Sequence, residues 1–391
     1  MKLTALLITA AISAVAASKT ITVHFTATDR KKLHASTWRA SSLGRLISAP
    51  LENVDLAYLI DIQLGTPPQP FTLLLDTGSS GTWVPVRGCG RYCGYPENTF
   101  NPNNSSTFVA SNLLFNIRYG EGFSRGFYGK DTMTINGAAV PAVNFALSDY
   151  NDGELTADGA DGILGIGPDA LSIYNNPDKS VIPTVVTTMF EQNIIDRNVF
   201  SVYFQPVEGT DADRQEKRIN GEIVFGGYED RHIVGNVSYV NITSQPSFEN
   251  YWAVDVDKIS VGKSFEKTYT PNLSALVDTG STLVYLPKEI MDNVFTDVKG
   301  ARKDFLGQYI VPCNSTNLPN ITITMGNQDF VLTSDHYLIT SGALALSDDS
   351  CYTYIQESPS FVDVILGYGF LQQYVSIYDN ENKRIGLAQR A

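Results

Sequence analysis

A chain of 391 residues, with 41 acidic side chains against 28 Lys and Arg and a formal charge of −13, has room for two domains with sizeable cores. Its acidic balance argues against a nucleic-acid partner, which asks for basic surface. No run beyond the first 17 residues is apolar and long enough to be a membrane span, so no membrane association is expected.

Met1 and Lys2 precede an apolar run over residues 3–17 that closes on small residues, Ala14-Val15-Ala16-Ala17. This is the pattern of a secretory signal peptide, and it falls short of the roughly 20 apolar residues that a membrane anchor needs. The last residues, RIGLAQRA, lack the hydrophobic tail of a lipid-anchor signal. Secretion is expected, with an acidic vacuole as the alternative destination. Residues 1–49 carry Lys2, Lys19, Arg30, Lys31, Lys32, Arg39 and Arg45 against Asp29, a net of +6, which leaves −13 − 6 = −19 on the remainder. Residues 18–49 therefore read as a basic propeptide clasped electrostatically to an acidic body. A disordered leader of no consequence is the plainer alternative.

Beyond the leader, strand signals dominate. Tyr58 to Leu64 runs into a turn at Gly65-Thr66-Pro67-Pro68, and residues 71–75 form a second strand leading into Asp76. Further short, β-branched or aromatic runs lie at 200–204, 223–225, 254–261, 321–325 and 375–378. Helical patterns are few, at 180–192 and 288–298. The class is mainly β, with lobes expected over 50–197 and 198–391 and an exposed polar loop at 205–220.

One pattern occurs twice. Residues 73–85 read LLLDTGSSGTWVP and residues 275–287 read ALVDTGSTLVYLP, with six aligned identities and two Leu/Val exchanges. Each aspartate is followed by Ile-Leu-Gly 87 positions later, at Ile163 after Asp76 and at Ile365 after Asp278. A repeated motif at a repeated spacing marks a duplicated structural unit. Gly78 and Gly280 let backbone amides approach the carboxylates, and Thr77, Ser79, Thr279 and Ser281 can hydrogen-bond and orient them. Two such aspartates brought face to face cannot both ionise cheaply, so they share a proton and supply a base and an acid. A single Asp-Thr-Gly would be an ordinary turn.

Four cysteines suit an oxidising compartment: Cys89 and Cys93 lie close together, while Cys313 and Cys351 lie in the second half, and pairing within each half gives one small and one larger loop. A zinc site is the rival reading, but His232 and His336 are not spaced as ligands, so no metal is expected. Asn103, Asn104, Asn236, Asn241, Asn272, Asn314 and Asn320 head Asn-x-Ser/Thr triplets and are glycosylation candidates.

The pair Asp76-Thr77-Gly78-Ser79-Ser80 and Asp278-Thr279-Gly280-Ser281-Thr282 resembles the active-site signatures of pepsin-like aspartic proteinases. The likeness covers essentially all of residues 50–391. It includes Trp83-Val84-Pro85, Tyr119-Gly120-Glu121-Gly122 at the position of the family's flap, Phe200-Ser201-Val202-Tyr203 and Ile385-Gly386-Leu387-Ala388. Within the family, two disulfides and the run at 82–89 look most like the fungal, secreted mucorpepsin branch. The resemblance implies a bilobal fold of two duplicated β lobes around a cleft, and a zymogen that becomes an acid-active endopeptidase without cofactor. Asp76 and Asp278 would hold the attacking water, with Ser79 and Ser281 bracing the carboxylates and Thr77 and Thr279 tying the motifs together. Tyr119, hydrogen-bonded to Trp83, would close over an extended polypeptide substrate, and Glu121 would face a substrate side chain beside the scissile bond and accept lysine. Inhibition by pepstatin-type compounds and a monomeric state also follow.

The chain departs from the family in three places. Tyr368 follows the second Ile-Leu-Gly where acidic or small polar residues are common, a third disulfide is absent, and Arg39 and Arg45 replace the usual propeptide lysine. Two rivals of other classes are a pepsin-fold binding protein, which would show a damaged dyad or flap, and a glycosidase, whose two carboxylates need dissimilar surroundings.

Overall fold

The computed structural model describes residues 19–28, 57–120, 122–151, 159–204, 219–262, 267–270, 272–305, 307–340, 346, 349–359 and 362–391. The signal-like segment, Glu121 and the polar loop over 205–218 lie outside them.

In chain order, the first half contributes β1 (Ile21–Thr28), β2 (Ala57–Leu64), β3 (Gln69–Asp76), β4 (Trp83–Pro85), β5 (Val109–Arg118), β6 (Phe123–Ile135), β7 (Ala138–Asn151), β8 (Gly162–Gly165) and helix α1 (Val185–Glu191). Then come β9 (Val199–Phe204), β10 (Ile219–Phe225), β11 (Ile233–Asn241), β12 (Ala253–Val256), β13 (Lys258–Gly262), β14 (Leu273–Val277), β15 (Val284–Leu286) and helix α2 (Lys288–Val294). The strands β16 (Ile355–Glu357), β17 (Val364–Leu366), β18 (Tyr374–Asp379) and β19 (Arg384–Arg390) follow later in the second half. Among the described residues, thirteen strands form one sheet in the order β11-β19-β18-β9-β10-β1-β2-β3-β8-β4-β7-β6-β5.

The duplication is visible as pairing. Strand β3 lies parallel to β8 with Leu74 opposite Ile163, and β8 is antiparallel to β4 with Ile163 opposite Trp83. In the second half β14 lies parallel to β17 with Leu276 opposite Ile365, and β17 is antiparallel to β15 with Ile365 opposite Tyr285. Each Ile-Leu-Gly strand is thus threaded between the two arms of an Asp-Thr-Gly loop. Flanked on both sides, Leu73, Leu74, Leu75 and Val277 are all buried, which is why these strands read as continuous apolar runs. The closing glycine of each echo is there for space. A Cβ at Gly165 would stand 2.6 Å from the Gly81 nitrogen, and one at Gly367 would stand 2.4 Å from the Leu283 carbonyl oxygen.

Three sequence expectations change. The run at 254–261 is two strands, with β12 in a five-stranded sheet beside β14 and β13 in a separate four-stranded one. The helix expected over 180–192 starts only at Val185, because Pro183 disfavours helical backbone at Ile182 before it. The second, expected over 288–298, ends at Val294. Part of the basic segment is core: β1 pairs with β10 along Ile21 to Thr26 and with β2 from Thr26 to Thr28. Phe25 is buried with its ring 5.3 Å from that of Tyr58 and 5.6 Å from that of Phe204.

Disulfides join Cys89 to Cys93 and Cys313 to Cys351, the latter spanning 38 positions. Six of the glycosylation candidates are exposed, whereas Asn320 is half-buried where a strand starts opposite Gly262. Loop-closure entropy makes the longer bridge worth about 3 to 4 kcal/mol and the shorter about half that. The Cys313→Ser/Cys351→Ser variant should therefore lose more stability in denaturant unfolding than Cys89→Ser/Cys93→Ser; equal losses would contradict this account.

Candidate active site

Asp76 ends β3 and Asp278 follows β14, so both carboxylates emerge where a buried strand leaves the core. Each is held in the same way. The Gly78 N–H donates to Asp76 Oδ1 at 2.8 Å and the Ser79 hydroxyl donates to Asp76 Oδ2. The Gly280 N–H donates to Asp278 Oδ1 at 2.9 Å and the Ser281 hydroxyl donates to Asp278 Oδ2 at 2.6 Å. The loops are locked reciprocally. The Thr77 N–H donates to Thr279 Oγ1 at 3.0 Å, and the Thr279 N–H donates to Thr77 Oγ1 at 2.9 Å. Each threonine hydroxyl in turn donates across the junction, to the Val277 and Leu75 carbonyls, at 3.0 Å.

That lock presses the loops together. A Cβ at Gly78 would lie 2.7 Å from Asp278 Oδ1, and one at Gly280 would lie 2.5 Å from Asp76 Oδ1. Glycine is required here for close approach, not for a turn. The aspartates are only 6% and 8% exposed, and their carboxyl groups hydrogen-bond each other. Burial, then the adjacent Asp278 charge, raises the Asp76 carboxyl well above the ordinary carboxylate range, against the bonds from Ser79 and Gly78. Burial raises Asp278 too, against bonds from Ser281, Gly280, Asp76 and Gly78. The two titrate as one unit that keeps a proton where free carboxylates have lost theirs.

The pair forms the floor of a cleft of about 550 Å³. Its walls come from both halves of the chain, including Leu74, Ile163, Leu171, Tyr251, Leu276 and Ile365. Over it stands the turn between β5 and β6, where the Tyr119 N–H donates to the Gly122 carbonyl at 3.0 Å. The Trp83 Nε1–H donates to the Tyr119 hydroxyl at 2.9 Å, and burial together with the Asp76 charge pushes that hydroxyl above its ordinary range. The structure thus brings Asp76, Thr77, Gly78, Ser79, Thr279, Gly280, Ser281 and Asp278 together and sets Trp83, Tyr119, Gly120 and Gly122 beside them; Glu121 is outside the described residues. Tyr368 packs into the core, its ring centroid 5.2 Å from Tyr58. Sequence reasoning missed the wall residues Leu171, Tyr174, Tyr251, Pro359 and Val362, which carry no local motif, and passed over Arg118 beside the flap.

A family profile described as "Eukaryotic aspartyl protease" matches residues 57–390. The chain belongs to that family. It is 32% identical over 345 residues to gastricsin of Homo sapiens, covering 88% of this chain and 84% of the relative. It is likewise 32% identical to vacuolar protease A of Aspergillus fumigatus over 334 residues, covering 85% of this chain and 78% of that protein. The crystal structure of an aspartic proteinase from Irpex lacteus superposes with a TM-score of 0.71 at 27% identity, covering 86% of this chain and 94% of that one. Family membership makes this chain an aspartic endopeptidase of the pepsin-like, mainly β fold.

A pair with raised proton affinity has a signature in stability. The folded state holds a proton that the unfolded chain releases near pH 4, so the contribution is full below the ordinary carboxylate range. It is lost as pH rises through the pair's elevated value. Asp76→Asn removes the repulsion, so its melting temperature should rise relative to wild type between about pH 4 and pH 7, by about 1 to 2 °C per kcal/mol for a chain of this length. Parallel melting curves at both pH values would sink the shared-proton assignment.

Proposed function

We propose that Asp76 and Asp278 activate a water molecule to hydrolyse peptide bonds at acid pH in polypeptide lying extended across the cleft. The observation that carries this is the buried carboxylate pair, braced alike on both sides, with burial and mutual repulsion raising its affinity for a proton. The ionised carboxylate takes a proton from the water as the water oxygen attacks the scissile carbonyl carbon. The protonated partner gives its hydrogen to the carbonyl oxygen, and a tetrahedral intermediate forms with no covalent bond to the enzyme. Collapse breaks the carbon–nitrogen bond: the amine nitrogen takes a proton from one carboxyl of the dyad, while the other carboxylate takes one from a hydroxyl of the intermediate as the carbonyl re-forms, which restores the shared proton. Ser79 and Ser281 fix the carboxylate planes, and Tyr119, tethered to Trp83, closes over the substrate and limits water. No cofactor is needed, and the substrate adds as a strand beneath the flap. A pepsin-fold binder that has lost catalysis is disfavoured by the intact dyad and by the Trp83–Tyr119 bond.

Secretion as a zymogen is the fuller reading, with a signal peptide at 1–17, a propeptide at about 18–49, and lobes at 50–197 and 198–391. Strand β1 supports it, because a leader segment lies inside the sheet rather than loose beside it. The relative named vacuolar protease A keeps an acidic vacuole as the alternative destination. The reading extends to a fungal mucorpepsin-like branch, which the two disulfides and the run at 82–89 support, and to a monomer sensitive to pepstatin-type inhibitors.

Asp76→Asn and Asp278→Asn should each lower kcat/KM on a protein substrate at least about a thousandfold while the far-ultraviolet spectrum stays that of wild type. The Asp76→Asn proform, brought to acid without active enzyme, should keep its leader. Substantial turnover in either variant removes the dyad mechanism, and leader loss in the dead proform removes self-processing.

A further inference from the structure

Among the described residues, the acidic floor of the cleft and its apolar walls leave one cation on the lining, Arg118, the last residue of β5 and the neighbour of Tyr119. Its setting follows from strand register. Arg118 pairs with Phe123, Asn116 pairs with Arg125, and Arg125 pairs with Tyr150. Directly paired residues share a face, so Asn116, Arg118, Phe123, Arg125 and Tyr150 stand on one side of the flap hairpin. Ile117 and Ser124, buried, occupy the other.

The arginines on and beside this face differ in what they touch. Arg125 lies over the Tyr150 ring at 4.4 Å, and that ring stacks on Phe123 at 5.5 Å. Arg91, from the Cys89–Cys93 loop, donates to the Tyr92 hydroxyl at 2.8 Å and lies 4.8 Å from its ring. Arg118 is exposed and makes no ion pair, side-chain hydrogen bond or ring contact among the described residues. A guanidinium with all its donors free, at the mouth of a cleft in an acidic protein, matches a carboxylate, which it can hold through two parallel N–H bonds.

We infer that Arg118 is a specificity-determining residue that favours polypeptide substrates carrying Asp or Glu at the position passing beside the first strand of the flap. The inference rests on the proposed peptide hydrolysis and names the substrate class of that same cleft. The side chain leaves the chemistry at the dyad untouched and acts on how the flanking sequence is held. A solvent-exposed pair contributes modestly, so discrimination of about two- to fivefold is expected.

The test uses the processed enzyme and peptides with one apolar scissile pair, in which a single Asp or its isostere Asn is walked through the flanking positions. The readout is the Asp-to-Asn ratio of kcat/KM at about pH 5.5, above the ordinary carboxylate range. Wild type should favour Asp at one or two adjacent positions, and 0.5 M salt should flatten that preference. Arg118→Gln should bring the ratio to about one, and Arg118→Glu should push it below one, disfavouring Asp at the same position. Because each ratio is taken within one enzyme, a general loss of activity or stability does not mimic the result. A wild-type ratio near one at every position, or one that survives Arg118→Glu, overturns the inference while Asp76-dependent cleavage of the Asn peptides leaves the proposed reaction standing. Failure to cleave any peptide removes that reaction, and the inference with it.

Discussion

Two carboxyl groups of like charge held against each other in a crevice with little water are the constraint to which the rest of the site answers. Removing a charge from water costs several kcal/mol even after the protein relaxes. Each carboxylate recovers part of that through one backbone N–H and one serine hydroxyl, bonds to a charged group worth about 1.5 to 3 kcal/mol each. The balance still favours retaining a proton, since both groups are pushed upward despite these bonds. The braces set geometry and which oxygens face outward; burial and repulsion set protonation.

Holding such a pair together demands support from both halves of the chain at once. The reciprocal Thr77–Thr279 bonds supply it, because each loop's amide is satisfied only by the other's hydroxyl. Neither loop can move off without leaving buried donors unpaired, at roughly 1 to 3 kcal/mol apiece. Behind each loop the Ile-Leu-Gly strand wedges the two arms apart, fixed by parallel pairing on one side and antiparallel pairing on the other. The Gly165 and Gly367 contacts show how little slack remains.

The dyad was legible in the sequence because its determinants are local and repeated. Four consecutive residues supply the carboxylate, its amide donor and its hydroxyl donor, and the equal spacing to Ile-Leu-Gly reflects the same β pairing formed twice. The cleft walls were not legible, since Leu171, Tyr251 and Val362 converge on the dyad from separate loops with no shared pattern. The break between β12 and β13 was hidden for a similar reason: one apolar run serves two sheets, and only tertiary pairing divides it at Asp257. Strand β1 is a different kind of miss. Ile21-Thr22-Val23-His24-Phe25 alternates with the period of a half-buried strand, and Val23 and Phe25 are the buried positions. Counting charge over the whole leader masked that signal.

On the proposed zymogen reading, the same strand alters how release of the leader would work. An electrostatic clasp would open once acid neutralised the body's carboxylates, and the Lys19–Asp196 pair, exposed at 4.0 Å, is of that kind and contributes little. Burial of Phe25 contributes about 1.5 to 3 kcal/mol, and the ladder to β10 adds about 0.5 to 1.5 kcal/mol per backbone bond. Neither quantity depends on carboxylate titration. Phe25 also fits only because residue 221 is glycine: a Cβ there would lie 1.8 Å from its ring. Withdrawing β1 would unpair the edges of β10 and β2 and uncover Tyr58 and Phe204, a cost in unpaired backbone that acid does not offset. Cutting the chain after β1 therefore does not by itself expel it. On the zymogen reading proposed above, residues 19–28 would stay in the sheet after such a cut, held by the β10 and β2 ladders.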